Sequence, residues 1–155
     1  MKPFKKIDAQ DIAVLRTFVP EDRFFVEDQI HPDYAHDEMM IYGKQEPEVV
    51  IQIKNAEEAS KIMKYASEHN IPVTPRGAGT GLCGGCVPLH GGIVLNTSLM
   101  NKILEIDPDT MTITVEPGVL LMEVQEAVKN AGFLYAPDPG EKSATVGGNV
   151  MTNAR

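Results

Sequence analysis

The spacing of hydrophobic positions predicts a strand, a helix and a second strand in the first half of the chain. Residues 47–54 carry a β-branched apolar run that is typical of a buried strand. Residues 56–69 place apolar side chains three and four positions apart, after Asn55 as a helix cap and with Glu58 at the capping-box position. Residues 71–74 form a second short strand. This order predicts a βαβ unit with parallel strands and a right-handed crossover.

The chain before this unit shows one helical stripe and then no periodicity. Asp8 caps a predicted helix with an apolar stripe, and Pro20 ends it. Residues 21–46 are polar and irregular, with many acidic side chains around His31 and His36. These side chains could ligate a metal, but their spacing matches no defined site, so the segment is interpreted as solvated surface.

The chain after the unit predicts a third strand, a hairpin and a helix. Residues 92–96 are the strand, and residues 103–107 and 111–116 form the hairpin around an Asp-Pro turn. Residues 119–131 form an amphipathic helix that Gly132 stops as a C-cap.

Two glycine-bearing segments carry the candidate chemistry. Residues 75–86 follow the second strand and hold five glycines within nine residues. Unhindered N–H groups in such a loop can bind an anion, with Thr80 as a hydroxyl donor and Arg76 as a positive charge. Residues 143–149 form a second predicted loop. For residues 75–86, the alternative interpretation is a tight connection that needs small residues. This segment matches neither the G-x-G-x-x-G motif nor a P-loop.

Four motifs follow one another in a specific order, and these are Pro75–Leu82, Val115–Val119, Pro137–Pro139 and Gly147–Asn149. In this order they resemble the FAD-binding domain of the FAD-linked 2-hydroxyacid oxidoreductases, which include the glycolate oxidase D subunit and the D-lactate dehydrogenases. The resemblance implies an α+β fold of the vanillyl-alcohol-oxidase (PCMH) type. It also implies a complete first lobe, a truncated second lobe and FAD as the cofactor.

The resemblance assigns each motif a place at the cofactor. The residues expected to hold the FAD pyrophosphate are Pro75, Arg76, Gly77, Ala78, Gly79, Thr80 and Gly81. The residues expected to line the dinucleotide channel are Pro117 and Gly118, and those expected beside the flavin are Asp138 and Pro139. The residues expected to close over the pyrophosphate from the other side are Ser143, Thr145, Gly147, Gly148 and Asn149.

The resemblance also divides the chain and limits what it does. We expect an N-terminal helix and irregular segment (1–46), the first FAD-binding lobe (47–98) and an incomplete second lobe (99–155). Family members are much longer, so this chain resembles the N-terminal part of such an enzyme. The resemblance implies that the substrate domain is missing from this chain, and it assigns no catalytic residue. We therefore expect little catalysis by the chain alone, possible loss of FAD binding, and self-association through the unfinished lobe.

Composition restricts the partners. The net charge of −8 argues against nucleic acid and anionic membranes. No apolar run is long enough to span a bilayer, and two cysteines without an export signal favour the cytoplasm. In the intact enzyme the resemblance implies a small 2-hydroxyacid substrate and an electron-transferring flavoprotein or a quinone as electron acceptor.

Two alternative functions remain open on the sequence. The chain could be a non-catalytic FAD- or nucleotide-binding module or an assembly fragment. Cys83 and Cys86 have the spacing of half a zinc site or of a redox dithiol, but no fourth ligand is evident and the pair lies in a glycine loop, so we interpret them as small residues that fill space. No metal is assigned.

Overall fold

The computed structural model describes residues 3–154, with the side chain of Met40 left out. Residues 1 and 2 of the predicted segment 1–46 and residue 155 of the predicted segment 99–155 therefore lie outside the described residues. The chain forms a four-stranded sheet with packed helices, followed by a separate two-stranded hairpin with its own helices.

Helix α1 (Ala9–Leu15) begins where the sequence predicts. Asp8 accepts hydrogen bonds from the N–H of Asp11, and the Asp11 carboxylate bonds back to the N–H of Asp8, which completes a capping box. The helix ends at Leu15, earlier than predicted. Val19 nevertheless reaches the core from the turn that follows, where it is 5% exposed.

A short strand lies in the segment that was predicted to be irregular. Strand β1 (Phe24–Val26) pairs antiparallel with β2 (Val49–Gln52), so that Phe24 lies opposite Ile51. The expectation of an entirely irregular segment 21–46 was therefore wrong. Three residues are too few to show alternation, and the strand forms because the edge of β2 is open to it.

The parallel strands predicted for the βαβ unit are confirmed. Helix α2 (Ala56–His69) connects β2 to β3 (Val73–Arg76), which begins two residues later than predicted. Strand β4 (Ile93–Asn96) lies between β2 and β3 and is parallel to both. The strand order is therefore β1-β2-β4-β3.

Helix α2 has the predicted ends, fixed by its caps. Asn55 Oδ1 accepts a hydrogen bond from the N–H of Glu58 at 2.9 Å, and Asn70 adopts the left-handed conformation at φ +55°. The predicted capping box forms only in part. The Glu58 carboxylate bonds to the N–H of Lys54 at 2.8 Å, one residue before the cap.

The main hydrophobic core lies between the sheet, α1 and α2. All four residues of the central strand β4 are buried, and two of them, Ile93 and Leu95, belong to this core. The buried core residues are Leu15, Val19, Phe24, Val49, Ile51, Ile53, Ile62, Ala66, Ile71, Ile93 and Leu95.

The hairpin and helix predicted after this sheet are also confirmed. Strands β5 (Ile103–Asp107) and β6 (Thr112–Val115) pair with each other, and helix α3 (Leu121–Asn130) packs beside them. Gly132 follows α3 at φ +86°, as expected for a C-cap glycine. A second, smaller core forms here around Val119, Val124 and Val128.

The second glycine-bearing segment is a helix and not the predicted loop. Helix α4 (Val146–Thr152) starts after Thr145, whose Oγ1 accepts a hydrogen bond from the N–H of Gly148 at 3.3 Å. The paired glycines suggested a loop because glycine is a weak helix former. The threonine cap and the contacts of the first turn outweigh that preference.

Candidate cofactor-binding site

Three polar side chains lie in one row at the carboxyl edge of the parallel strands. Gln52 pairs with Asn96, and Asn96 pairs with Arg76, as the last residues of β2, β4 and β3. Ligands of such sheets bind outside this edge because the connecting loops leave a crevice there. The glycine loop starts directly after Arg76 and therefore begins in the crevice.

The glycine loop offers unpaired main-chain donors. Within residues 3–154, no main-chain carbonyl accepts a hydrogen bond from an N–H of residues 77–82. The loop is held from outside, because the N–H of Glu38 donates to the carbonyl of Gly81 at 3.0 Å. Several free N–H groups on an anchored loop suit an anion that accepts several hydrogen bonds.

Gly79 allows the loop to close over a charged side chain. Its φ is +83°, and a Cβ at this position would lie 2.0 Å from Nη2 of Arg76. The position therefore requires glycine both for its backbone conformation and for the space that Arg76 occupies.

Arg76 is a buried cation without a carboxylate partner. It is 7% exposed, and its Nη1 donates to the carbonyl of His36 at 2.6 Å and to Sγ of Cys86 at 3.3 Å. Among the described residues Arg76 forms no ion pair within 4.0 Å. Its charge is therefore available to compensate a bound anion.

Asp37 lies beside the loop and was not predicted as a site residue. It is 6% exposed, and its Oδ1 accepts a hydrogen bond from the N–H of Met39 at 2.8 Å. Its Oδ2 is buried without a donor and lies 3.7 Å from where a Cβ on Gly81 would be. No periodicity marks Asp37 in the sequence, since its role depends on a distant loop.

Pro117 and Gly118 join the first sheet to α4. The N–H of Gly118 donates to the carbonyl of Met100 at 2.7 Å, and a Cβ on Gly118 would lie 2.4 Å from the carbonyl of Thr97. On the other side, the N–H of Gly147 donates to the carbonyl of Pro117 at 2.8 Å. The Pro-Gly pair therefore places the start of α4 beside the end of β4.

The two glycine segments meet directly. A Cβ on Gly77 would lie 2.1 Å from Oγ1 of Thr145, the residue that caps α4. Thr145 is 2% exposed, so the contact is fixed by packing on all sides. The predicted approach of the loop at residues 77–81 to the segment at residues 145–149 is present in the structure.

Other predicted site residues lie outside this contact. Asp138 is exposed and forms an ion pair with Lys142, which lowers the pKa of its carboxyl. Ser143 bonds to Glu141, and no hydrogen bond in the described part of the chain joins Asp138, Pro139 or Ser143 to the glycine loop.

The remaining predicted residues lie in regular structure or on the loop. Pro75 is in β3 and lines a separate groove with Val87 and Leu89. Asn149 is half-buried in α4, and Thr80 is half-buried in the loop. Ala78 is exposed on the loop and faces the pocket described next.

A polar pocket of about 280 Å³ lies between the loop and the row of strand ends. The residues that line it are His31, Asp33, Tyr34, Arg76, Gly77, Ala78, Asn96 and Ser98. Tyr34, Asn96 and Ser98 were not predicted as site residues. The place of Asn96 and Ser98 at a strand end was the only sequence signal for them.

In the described residues Cys83 and Cys86 are both free thiols. Burial raises the pKa of the Cys86 thiol, an effect that Arg76 opposes and Asp37 strengthens, so the sulfur is held protonated. A protonated thiol is a poor metal ligand and a poor nucleophile. No cluster of three or more His, Cys, Asp or Glu side chains that could hold a metal occurs in residues 3–154.

The site fits a diphosphate. It combines unpaired N–H groups, a buried arginine without a carboxylate partner and two glycines whose Cβ atoms would clash. A diphosphate carries two negative charges and needs several donors, which this otherwise acidic chain concentrates at one place.

Comparison with protein families agrees with this geometry. Residues 47–155 match the family described as FAD binding domain. The matched segment includes β2, the glycine loop, the Pro-Gly pair and α4.

Curated relatives match over most of this chain. A D-lactate dehydrogenase of Anaerostipes hadrus is 44% identical over 151 residues, which cover 97% of this chain and 32% of that protein. The glycolate oxidase subunit GlcD of Bacillus subtilis (strain 168) is 44% identical over 122 residues, covering 78% of this chain and 26% of the subunit. The chain thus spans about a third or less of the length of these relatives.

Solved structures share the fold. An alkyldihydroxyacetonephosphate synthase superposes with a TM-score of 0.80 at 19% identity over 96% of this chain and 30% of its own. A 4-ethylphenol oxidase from Gulosibacter chungangensis superposes with a TM-score of 0.80 at 24% identity. The match covers 97% of this chain and 30% of the oxidase chain. The predicted α+β fold of the vanillyl-alcohol-oxidase type is confirmed.

In residues 3–154, none of the helices has the length and apolar character needed to cross a membrane. The family match, which covers more than half of the chain, and the geometry of the glycine segments lead to the same conclusion. This chain belongs to the FAD-binding domain family, and its cofactor is FAD.

Proposed function

We propose that the chain binds the FAD diphosphate between the glycine loop and the start of α4. The observation that carries this proposal is the contact of Gly77 with Thr145 beside the unpaired N–H groups of residues 77–82. Arg76, directly beneath the loop, compensates the phosphate charge.

The structure supports the proposed cofactor residues to different extents. Those that lie at or next to the contact of the two segments, or line the polar pocket beside it, are Arg76, Gly77, Ala78, Pro117, Gly118, Thr145, Gly147 and Gly148. Gly79, Thr80 and Gly81 are supported by their place in the loop with unpaired N–H groups. The resemblance alone supports Pro75, Asp138, Pro139, Ser143 and Asn149.

Gly77→Ala tests the diphosphate site. The added methyl group meets Thr145 Oγ1 and pushes α4 away from the loop, so FAD affinity should fall by about tenfold or more. Titration of the chain with FAD, followed by quenching of flavin fluorescence, measures this change.

Gly132→Ala is the matched control, because a Cβ there meets nothing within 4 Å. It should lower thermal stability without changing FAD affinity. A wild-type chain that does not bind FAD would contradict the proposal, and equal affinities of both variants would contradict the placement of the diphosphate.

For the longer protein, we propose a flavin-dependent dehydrogenase or oxidase of 2-hydroxyacids, with this chain as its FAD-binding portion. The names of the relatives, D-lactate dehydrogenase and glycolate oxidase subunit, support this class. When bound, FAD would supply the hydride-accepting chemistry of such reactions. The chain's residues bind and orient the cofactor, and an electron-transferring flavoprotein is the proposed electron acceptor.

Two of the four histidines, His69 and His90, are held in contacts outside the polar pocket. His69 Nδ1 bonds to the carbonyl of Tyr65 at 2.8 Å, and its ring stacks on that tyrosine. His90 packs against Phe4 with ring centroids 5.1 Å apart. The FAD-loaded chain should therefore keep its flavin absorbance near 450 nm when D-lactate or glycolate is added without oxygen, and bleaching would show a base that we have not identified.

The alternative function is a non-catalytic FAD- or nucleotide-binding fragment. The open pocket beside Arg76 would suit a simple nucleotide diphosphate as well. Competition between ADP and FAD for the chain distinguishes a nucleotide-binding fragment from the FAD-binding portion of a flavoenzyme. A chain that binds ADP as tightly as FAD would favour the alternative.

A further inference from the structure

A tyrosine outside the predicted site connects the three strand ends. Tyr34 lies in a 3₁₀ turn (Pro32–Ala35), and its hydroxyl oxygen lies 3.1 Å from Gln52 Nε2 and 3.3 Å from Asn96 Nδ2. The Arg76 guanidinium lies over its ring, with Cζ 5.5 Å from the ring centroid. Tyr34 therefore contacts the last residue of each of the three parallel strands.

The hydrogen bonds around Tyr34 define which atoms donate. Asn96 Oδ1 accepts a hydrogen bond from the N–H of Ser98 at 2.8 Å, which fixes the amide so that Nδ2 donates to Tyr34. Gln52 Nε2 donates to the same oxygen. Two donated bonds use the two lone pairs of a phenol oxygen.

The hydroxyl proton of Tyr34 remains without an acceptor in residues 3–154. The side chain borders the pocket of about 280 Å³ together with Arg76, Gly77 and Ala78. A half-buried O–H is more stable when an acceptor receives its proton, and an anionic oxygen is a strong acceptor. Arg76, stacked on the same ring, supplies positive charge at this place.

We propose that Tyr34 is a further binding residue, whose hydroxyl donates to a phosphate oxygen of the diphosphate ligand in this pocket. Gln52 and Asn96 hold the hydroxyl with its proton directed away from the sheet. This inference rests on the proposed function for the identity of the ligand as FAD. The proposed hydrogen bond from Tyr34 requires only that the ligand carries a diphosphate.

Tyr34→Phe removes the donor and keeps the ring beneath Arg76. We expect the dissociation constants of both FAD and inorganic pyrophosphate to rise by about tenfold, since a hydrogen bond to a charged group is lost. Flavin fluorescence reports FAD binding, and isothermal titration calorimetry reports pyrophosphate binding. Circular dichroism melting confirms that the variant is folded.

Tyr65→Phe is the matched control, because its hydroxyl donates to Asp11 at 2.8 Å, outside the pocket. This variant should lower the melting temperature and leave both dissociation constants unchanged. An equal loss of affinity in both variants would indicate a general effect on folding and would overturn the inference.

The two probes separate this inference from the proposed function. FAD binding by the wild type with unchanged affinities in Tyr34→Phe overturns the role of Tyr34 and leaves the proposed function intact. Pyrophosphate binding that depends on Tyr34, without FAD binding, supports the inference and contradicts the proposed function. A wild type that binds neither probe contradicts both.

A measurement on the unchanged chain covers the case in which Tyr34→Phe does not fold. With ¹³C at the tyrosine Cζ atoms, addition of pyrophosphate should shift the Tyr34 resonance and not that of Tyr65. An unshifted Tyr34 resonance at saturating pyrophosphate would overturn the inference.

Discussion

At the scale of single residues, two glycines with nearly the same φ angle give a test of the loop. Gly79 has φ +83° and Gly132 has φ +86°, so alanine at either position costs about 1–2 kcal/mol in backbone strain. Only at Gly79 would the new Cβ meet another group, Nη2 of Arg76, at 2.0 Å. Gly79→Ala should therefore displace Arg76 and raise the FAD dissociation constant by about tenfold.

Gly132→Ala separates strain from displacement. Both variants should lose a few degrees of melting temperature, about 2–4 °C per kcal/mol for a chain of this size. FAD affinity should change only in Gly79→Ala. If it falls equally in both variants, backbone strain alone explains the loss and Arg76 is not involved.

The predictability of a residue depends on how local its role is. Gly77 and Gly79 could be proposed as site residues because glycines cluster within one loop after a strand. Tyr34 and Asp37 could not, since neither follows a pattern in its own segment. Each acts through a contact with a strand end or loop about 20 to 60 positions further along the chain.

At the scale of elements, one ion pair ties the turn before β1 to α2. Arg23 donates to both carboxylate oxygens of Glu58 at 2.7 Å, and the two side chains are 7% and 14% exposed. The hydrogen bonds from Arg23 lower the pKa of Glu58, although burial opposes this. Glu58→Gln should reduce the free energy of unfolding at pH 7 by about 2 kcal/mol, measured by urea denaturation.

The sign of the pH dependence follows from the lowered pKa. The wild type has the full contribution of Glu58 above the unfolded pKa of about 4.3 and loses it as the pH falls through the folded value. The difference between wild type and Glu58→Gln should therefore shrink between pH 5 and pH 3. Glu57, exposed and paired with Lys61, is the control, and Glu57→Gln should leave the urea midpoint unchanged. A difference that stays constant across this range would show that charge is not its cause.

Elements with local end signals could be predicted, and those without could not. Helix α2 has the predicted bounds because Asn55 caps it and Asn70 ends it in a left-handed conformation. Strand β1 was missed because its pairing partner is more than 20 residues away. Helix α4 was missed because its glycines argue against a helix and its stability comes from Thr145 and Pro117.

At the scale of the whole molecule, the unit after β4 exposes several large apolar side chains beside its small core. In the described residues β5 and β6 pair only with each other, so each strand leaves an open edge. Large apolar side chains at least half exposed in this unit are Leu104, Met111, Met122, Leu134, Val150 and Met151. Such a surface favours association with another surface of the same kind.

We therefore expect the chain to self-associate at micromolar concentration through the unit formed by residues 103–152. Leu104→Lys places a charge on β5, where the side chain is 58% exposed, and should shift light scattering toward the monomer mass. Ile41 is 85% exposed but lies in the turn before β2, so Ile41→Lys should leave the mass unchanged. A monomeric wild type would contradict the expectation. An equal effect of both lysines would show that association is nonspecific.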